Sequence, residues 1–194
     1  MKTKEWFIGL IVAGLIASAA WISFNPASMA APDITFTSIT GEKINLKDWQ
    51  GKPVIVTFWA TDCPGCIKEI PHLIELYREY HKRGLEIIAV AMYYDPPNHV
   101  VEMTRTKQLP YTVTLDLRAE HAKAFGDVRL TPTTFLIKPD GTIALHKIGT
   151  FDLKDMKNRI DSFILDSAVF YLVPKLQLSP LYTSIGKLAK QSSS

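Results

Sequence analysis

The residues best able to do chemistry in this sequence are Cys63 and Cys66, the only two cysteines of the chain, within residues 59–73 (WATDCPGCIKEIPHL). Two thiols separated by two residues can form a reversible disulfide, bind a soft metal ion or staple the chain. A staple is disfavoured because a bridge over so short a loop removes little entropy from the unfolded chain. A c-type haem site is also disfavoured, since it needs His where this chain has Ile67.

Among metal sites, only copper(I) stays open as an alternative. A zinc site would need two further ligands, and copper(I) needs only soft thiolates, so a copper-binding assembly factor is the alternative function in this class. The histidines are expected to be solvated or core residues. They number five and show no paired spacing: His72, His81, His99, His121 and His146.

The pattern favours a redox dithiol. Cys63 is predicted at or just before a helix N-terminus, where free N–H groups and the helix dipole stabilise a thiolate, so we expect it to be the nucleophile. Cys66, one turn further, is better shielded and suits the resolving role. Three neighbouring residues are expected to tune the redox potential of the cysteine pair. Asp62 places a negative charge beside Cys63, which raises the pKa of the thiol, and Pro64 and Gly65 bring no positive charge or side-chain donor.

Glu69 is the predicted proton-handling group. At about 100° per residue it falls between Leu76 and Tyr80 on the apolar side of the helix that begins at Pro64, and Cys66 lies on the same side. A carboxyl group in that position is partly desolvated, which raises its pKa towards neutrality. It can then pass protons to and from the cysteines during exchange.

The rest of the chain predicts alternating strands and helices followed by a hairpin and a last helix. This order is typical of an α/β fold whose mixed sheet is covered on both faces. The predicted strands are 53–59 and 85–91, the helices are 64–84, 97–107, 119–125 and 152–167, and the hairpins span 34–45 and 133–147.

The N-terminus carries a membrane-directing signal. Lys2 and Lys4 precede an uncharged apolar run at residues 6–24, which is about 28 Å long as a helix and close to the thickness of a bilayer core. We expect an uncleaved anchor, with a cleaved signal peptide as the alternative. The lysines hold that end in the cytoplasm, so the remainder is expected on the far side. The net charge of +3 without a Lys/Arg run indicates no nucleic-acid partner.

These features, in this order, resemble the membrane-anchored thiol-disulfide oxidoreductases of the TlpA/ResA type. The resemblance rests on the hairpin, the strand PVIVTFWA, the C-x-x-C motif, the glutamate after it and the TPTTFLI segment. It implies a thioredoxin fold with an N-terminal β-hairpin and membrane anchor, and it places Thr131 and Pro132, joined by a cis peptide, beside Cys63 to contact substrate. The predicted divisions are 1–31, signal anchor or signal peptide with linker; 32–167, thioredoxin-like domain; and 168–194, C-terminal extension.

This sequence departs from the family pattern at two positions. Asp62 stands where the family usually has Trp, and Leu130 where it usually has Gly. Both positions border the surface on which substrate lies. Thioredoxins proper place a buried aspartate six residues before the first cysteine, where this chain has Thr57.

The expected function is extracytoplasmic reduction of protein disulfides, for example during cytochrome c maturation. The chain is expected as a single-pass inner-membrane protein with its domain in the periplasm, or as a secreted periplasmic protein if the signal is cleaved. No cofactor is expected. Because the compartment is oxidising, a membrane electron-donor protein must re-reduce the dithiol. A disulfide oxidant or isomerase is the alternative within the same chemistry.

Overall fold

The computed structural model of the chain describes residues 29–177, with side chains described to Leu165. The predicted anchor at residues 6–24 lies outside the described residues. Between residues 29 and 177, no helix contains an 18-residue stretch apolar enough to cross a membrane.

A mixed sheet forms the centre of the fold. Its strands are β3 (Val54–Trp59), β4 (Glu86–Ala91), β5 (Thr112–Leu115), β6 (Thr133–Ile137) and β7 (Ile143–Ile148). Their order is β5-β4-β3-β6-β7. The first three are parallel and the last two antiparallel to their neighbours. Every residue of β3 is buried, as a central strand covered on both faces requires, and this strand leads directly into the dithiol.

Helices and a small hairpin cover the two faces of the sheet. One face packs against α1 (Pro64–Tyr80), α2 (Pro97–Thr106) and α4 (Leu153–Gln177), and the other against α3 (Glu120–Ala124) and the hairpin. The hairpin consists of β1 (Thr35–Thr37) and β2 (Lys43–Asn45). The period of two along β3 divides its side chains between the faces: Ile55 and Trp59 belong to the α1 side, and Val56 and Phe58 to the hairpin side.

The predicted elements match the structure within a few residues, with two differences. Strand β5 was not predicted from the sequence; it is short, and it is defined by pairing with β4 and by the hairpin, where Ile39 N–H donates to Val113 O at 2.9 Å. The last helix was predicted over residues 152–167, with residues 168–173 prolonging it or packing beside it, and α4 continues as one helix to Gln177. Gly84, predicted as a helix stop, ends the turn after α1 at φ 106°, a left-handed conformation suited to glycine.

Candidate active site

The dithiol lies at the corner between β3 and α1. Cys63 is the N-cap of α1 with extended backbone, and Cys66 N–H donates to Cys63 Sγ at 3.2 Å. The two cysteines form a disulfide, with Cα atoms 5.3 Å apart. Cys63 is partly exposed, whereas Cys66 is only 3% exposed. Cys63 is therefore the more accessible residue of the pair, which is consistent with its predicted role as the nucleophile.

The Thr131–Pro132 segment lies against the start of α1. Its peptide bond is cis, as the resemblance implies. A Cβ atom added to Gly65 would lie 3.2 Å from Pro132 Cδ, so the missing side chain lets the helix and the proline pack closely. Thr131 is partly exposed and Pro132 buried.

Glu69 is buried on the inner side of α1, only 2% exposed, as its helical position predicts. Burial raises its pKa to about 7, although the hydrogen bond from Phe151 N–H to Glu69 Oε1, 2.9 Å long, acts in the opposite direction. Within the described residues this carboxyl has no ion pair. The side chain therefore titrates near neutral pH, beside the shielded thiol.

A small cavity joins Glu69 to Cys66. Its volume is about 10 Å³, which is room for roughly one water molecule at most. Solvent therefore does little to screen the carboxyl group. The cavity is lined by Thr57, Trp59, Cys66, Glu69, Ile70, Leu73, Ala89, Leu109 and Tyr111.

The outer rim of the corner is exposed. Asp62 and Pro64 both lie at the surface on either side of Cys63, and Leu130 is 61% exposed just before Thr131. The two positions that depart from the family pattern are therefore at the surface. Within residues 29–177, no group of three or more His, Cys, Asp or Glu side chains is arranged to hold a metal ion.

Comparison with known proteins identifies the family. The AhpC/TSA family profile matches residues 27–146. The chain belongs to this family. A curated relative of this AhpC/TSA protein, the thiol-disulfide oxidoreductase ResA of Geobacillus thermodenitrificans, is 34% identical over 132 residues, which are 68% of this chain and 75% of the relative.

Solved structures of similar proteins share the fold. A candidate thioredoxin from Neisseria meningitidis is 31% identical with a TM-score of 0.65, over 70% of this chain and 89% of that one. StoA from Bacillus subtilis is 27% identical with a TM-score of 0.57, over 69% of this chain and 98% of that one. These relatives and the Cys63–Cys66 pair together show that this AhpC/TSA-family protein performs thiol–disulfide exchange.

Sequence reasoning missed two contributors to the Glu69 environment. No role in the site was predicted for Phe151, yet its backbone N–H donates to the Glu69 carboxyl group. Tyr111 is 6% exposed and lines the same cavity; burial, and next the charge of Glu69, raise the pKa of its phenol. Tyr111 immediately precedes β5. If that strand had been predicted from the sequence, the burial of Tyr111 could have been predicted with it.

Proposed function

We propose that this protein is a disulfide reductase of the extracytoplasmic space, with Cys63 attacking, Cys66 resolving and Glu69 handling protons. The observation that supports this direction is the charge around Cys63. Its flanking residues are Asp62, Pro64 and Gly65, none of which can stabilise a thiolate with positive charge. A dithiol whose thiolate is poorly stabilised favours the disulfide state and so acts as a reductant.

The proposed cycle transfers two electrons from the dithiol to a protein disulfide. The Cys63 thiolate attacks one substrate sulfur, the substrate S–S bond breaks, and the leaving sulfur takes up a proton. Glu69 then accepts the proton of the Cys66 thiol, and the Cys66 thiolate attacks Cys63. The Cys63–Cys66 disulfide forms, and the second substrate sulfur leaves as a thiol once protonated. A carboxyl group with a pKa of about 7 can both accept and return protons at physiological pH.

The location and partners belong to the same proposal. The apolar run at residues 6–24 supports a membrane tether with the domain outside the cytoplasm. In that compartment a reductase needs a membrane electron donor, and the dithiol itself needs no further cofactor. The TlpA/ResA resemblance supports haem-site disulfides of apocytochromes c as substrates.

The direction is tested by equilibrating the purified protein with glutathione buffers and alkylating the free thiols. We expect a potential of roughly −230 mV or lower, by comparison with the reference oxidoreductases. The reduced protein should also reduce a peptide disulfide in a C-x-x-C-H sequence. Cys63→Ser should abolish this reaction and Cys66→Ser should trap a mixed disulfide. A potential near −120 mV would instead indicate an oxidant, and tight stoichiometric copper(I) binding without exchange would indicate a metal carrier.

The location is tested with a membrane-impermeant maleimide on intact bacterial cells. Because the chain has only two cysteines, labelling after mild reduction reports the side on which they lie. We expect labelling of the full chain and its recovery in the membrane fraction. The double variant Cys63→Ser/Cys66→Ser is the control. Labelling that requires cell lysis would contradict the proposed location.

A further inference from the structure

A second buried carboxylate lies at the corner that presents the dithiol. Asp95, in the loop between β4 and α2, is 5% exposed. Both of its oxygens accept hydrogen bonds from Thr61: Oδ2 from the backbone N–H at 2.7 Å and Oδ1 from the hydroxyl at 2.6 Å. Thr61 is two residues before Cys63. The carboxylate thus ties the end of β4 to the segment that carries the reactive thiol.

The tied segment is a tight turn. Cys63 N–H donates to Ala60 O at 3.3 Å, which leaves Thr61 and Asp62 as the central residues. The conformation of this turn sets the direction in which the chain enters α1, and with it the position of the N-cap sulfur. Holding both the N–H and the hydroxyl of Thr61 fixes the turn at its first central residue.

The residue that holds the turn is itself firmly placed. Asp95 N–H donates to Met92 O at 2.9 Å. Asp95 is followed by Pro96 and Pro97, and proline restricts both its own φ and the conformation of the residue before it. The Asp95 side chain is therefore presented to Thr61 from a stiff backbone.

The charge of Asp95 is costly to bury. Within the side chains described, residues 29–165, Asp95 takes part in no ion pair, and its hydrogen-bond partner is Thr61. A buried unpaired carboxylate destabilises a fold relative to a neutral residue. An asparagine could make the same two contacts, with its amide oxygen accepting from the N–H and its amide nitrogen donating to the hydroxyl. The hydrogen bonds alone therefore do not explain a carboxylate at this position.

We propose that Asp95 is a positioning residue for Cys63 that also holds a negative charge near the reactive sulfur. Successive Cα atoms are about 3.8 Å apart, so the Cα atoms of Thr61 and Cys63 lie within about 7.6 Å of each other. The Asp95 oxygens bind Thr61, two residues before Cys63, and a poorly solvated negative charge held this close to Cys63 along the chain disfavours a thiolate. Asp95 thus acts together with Asp62 and with ionised Glu69 on the redox balance of the pair. The proposal rests on the exchange chemistry of the proposed function, but not on its direction.

Two substitutions separate the two roles. Asp95→Asn preserves the contacts and removes the charge, whereas Thr61→Val keeps the charge and removes one hydrogen bond. Thr61→Ser, which retains both bonds, is the rescue variant. Asp127→Asn is the matched control, because Asp127 is an exposed aspartate paired with Arg129. The readouts are the equilibrium constant with glutathione and the rate of exchange of the reduced protein with a small disulfide, measured on the full chain.

We expect Asp95→Asn to shift the equilibrium at least threefold towards the dithiol, which corresponds to about 14 mV. Thr61→Val should slow exchange about tenfold, the rate equivalent of losing a hydrogen bond to a charged group, and Thr61→Ser should restore the rate. The Asp127→Asn variant should match the wild type in both readouts.

The glutathione equilibrium is the decisive readout, because a purely structural aspartate would not shift it when its contacts are kept. Asp95→Asn at the wild-type equilibrium, or Thr61→Ser as slow as Thr61→Val, would overturn the proposal. Should Thr61→Val fail to fold, Asp95→Asn alone still decides, since its contacts are preserved. A wild-type potential in the oxidising range would refute the proposed direction of the reaction, while the shift between the wild type and Asp95→Asn would still test Asp95.

Discussion

Two buried carboxyl groups on opposite faces of the sheet behave in opposite ways. Glu69, on the α1 face, and Asp116, after β5 on the hairpin face, are each 2% exposed. Glu69 receives one hydrogen bond from Phe151, and its pKa is raised by burial to about 7. Burial also acts to raise the pKa of Asp116, but bonds from the His121 ring, Ala122 N–H and His121 N–H outweigh it, and the pKa is lowered. The number of donors, and not the burial, decides which group titrates near neutral pH.

The environment of Asp116 is built for structure. His121 places its two ring nitrogens against Asp116 Oδ1 at 3.1 Å and Thr35 O at 3.3 Å. Both partners are acceptors, so the ring donates at both nitrogens and carries a positive charge. Burial acts to lower the pKa of His121. The hydrogen bonds act more strongly in the opposite direction, so the pKa is raised overall. The pair ties the hairpin to α3, and the ring also stacks on Phe36 at 4.6 Å between centroids.

The comparison predicts that stability depends far more on Asp116 than on Glu69. Asp116→Ala leaves a protonated, half-buried His121 and two backbone donors without their acceptor, which should cost about 3–5 kcal/mol of unfolding free energy. Glu69→Gln keeps an acceptor for Phe151 N–H and should change stability by about 1 kcal/mol or less. Urea unfolding of the oxidised proteins at pH 5, where Glu69 is still protonated in the folded state, measures both. A larger loss for Glu69→Gln would invert the assignment of roles.

A second prediction concerns the pH dependence of stability. The pKa of Glu69 is about 7 in the folded state against 4.5 unfolded, so the folded state binds the proton more tightly. Its stabilising contribution is complete below pH 4.5 and is lost as the pH rises through 7, by roughly 3 kcal/mol at most. Asp116, with a lowered pKa, contributes above its unfolded pKa and loses that contribution only in acid. The raised pKa of His121 gives a decline with rising pH, like that of Glu69.

Unfolding free energies at pH 5 and pH 7.5 separate these groups. The wild type should lose stability between the two values, and Glu69→Gln should lose less, because only the His121 contribution remains. Asp116 is ionised throughout this window, so it adds no slope. Equal declines in the wild type and Glu69→Gln would show that Glu69 does not titrate between these values.

A third prediction carries the comparison to the chemistry. Glu69→Gln removes the titrating group beside Cys66 and should slow exchange at pH 7 by about tenfold or more, as general acid–base groups do. The pH profile of exchange should also lose its inflection near pH 7. Asp116→Asn is the control on the opposite face and should preserve the shape of the profile. Superimposable profiles for wild type and Glu69→Gln would contradict the proton-handling role.

The sequence predicts the dithiol and its acid from local spacing alone. Cys63, Cys66 and Glu69 belong to one turn-and-helix segment, so the 3.6-residue period sets their relative directions. The pairs Asp116–His121 and Asp95–Thr61 were not predicted, because their partners meet only through the packing of separate elements. Strand β5 was missed for a related reason: four residues, two of them Thr, give too short an alternation without the neighbouring β4.

The smallest expected effect concerns Thr57, where thioredoxins proper carry a buried aspartate. Its hydroxyl lies 2.9 Å from that of Thr134, both residues are buried, and Thr57 lines the cavity shared by Glu69 and Cys66. A neutral hydroxyl pair does not titrate near pH 7, so apart from the Cys66 thiol of the reduced protein, the titrating group of this cavity in that range should be Glu69. Thr57→Val should therefore lower the free energy of unfolding by about 1 kcal/mol, because it leaves the Thr134 hydroxyl unpaired, and it should leave the pH profile of exchange unchanged.

The double variant Thr57→Val/Thr134→Val should recover most of the lost stability, since no buried hydroxyl is left without a partner. Urea unfolding and exchange rates from pH 5 to 9 measure both effects. A shift of the exchange profile as large as that of Glu69→Gln would mean that the hydroxyl pair takes part in proton transfer, and the contrast between one titrating carboxyl group and its neutral surroundings would fail.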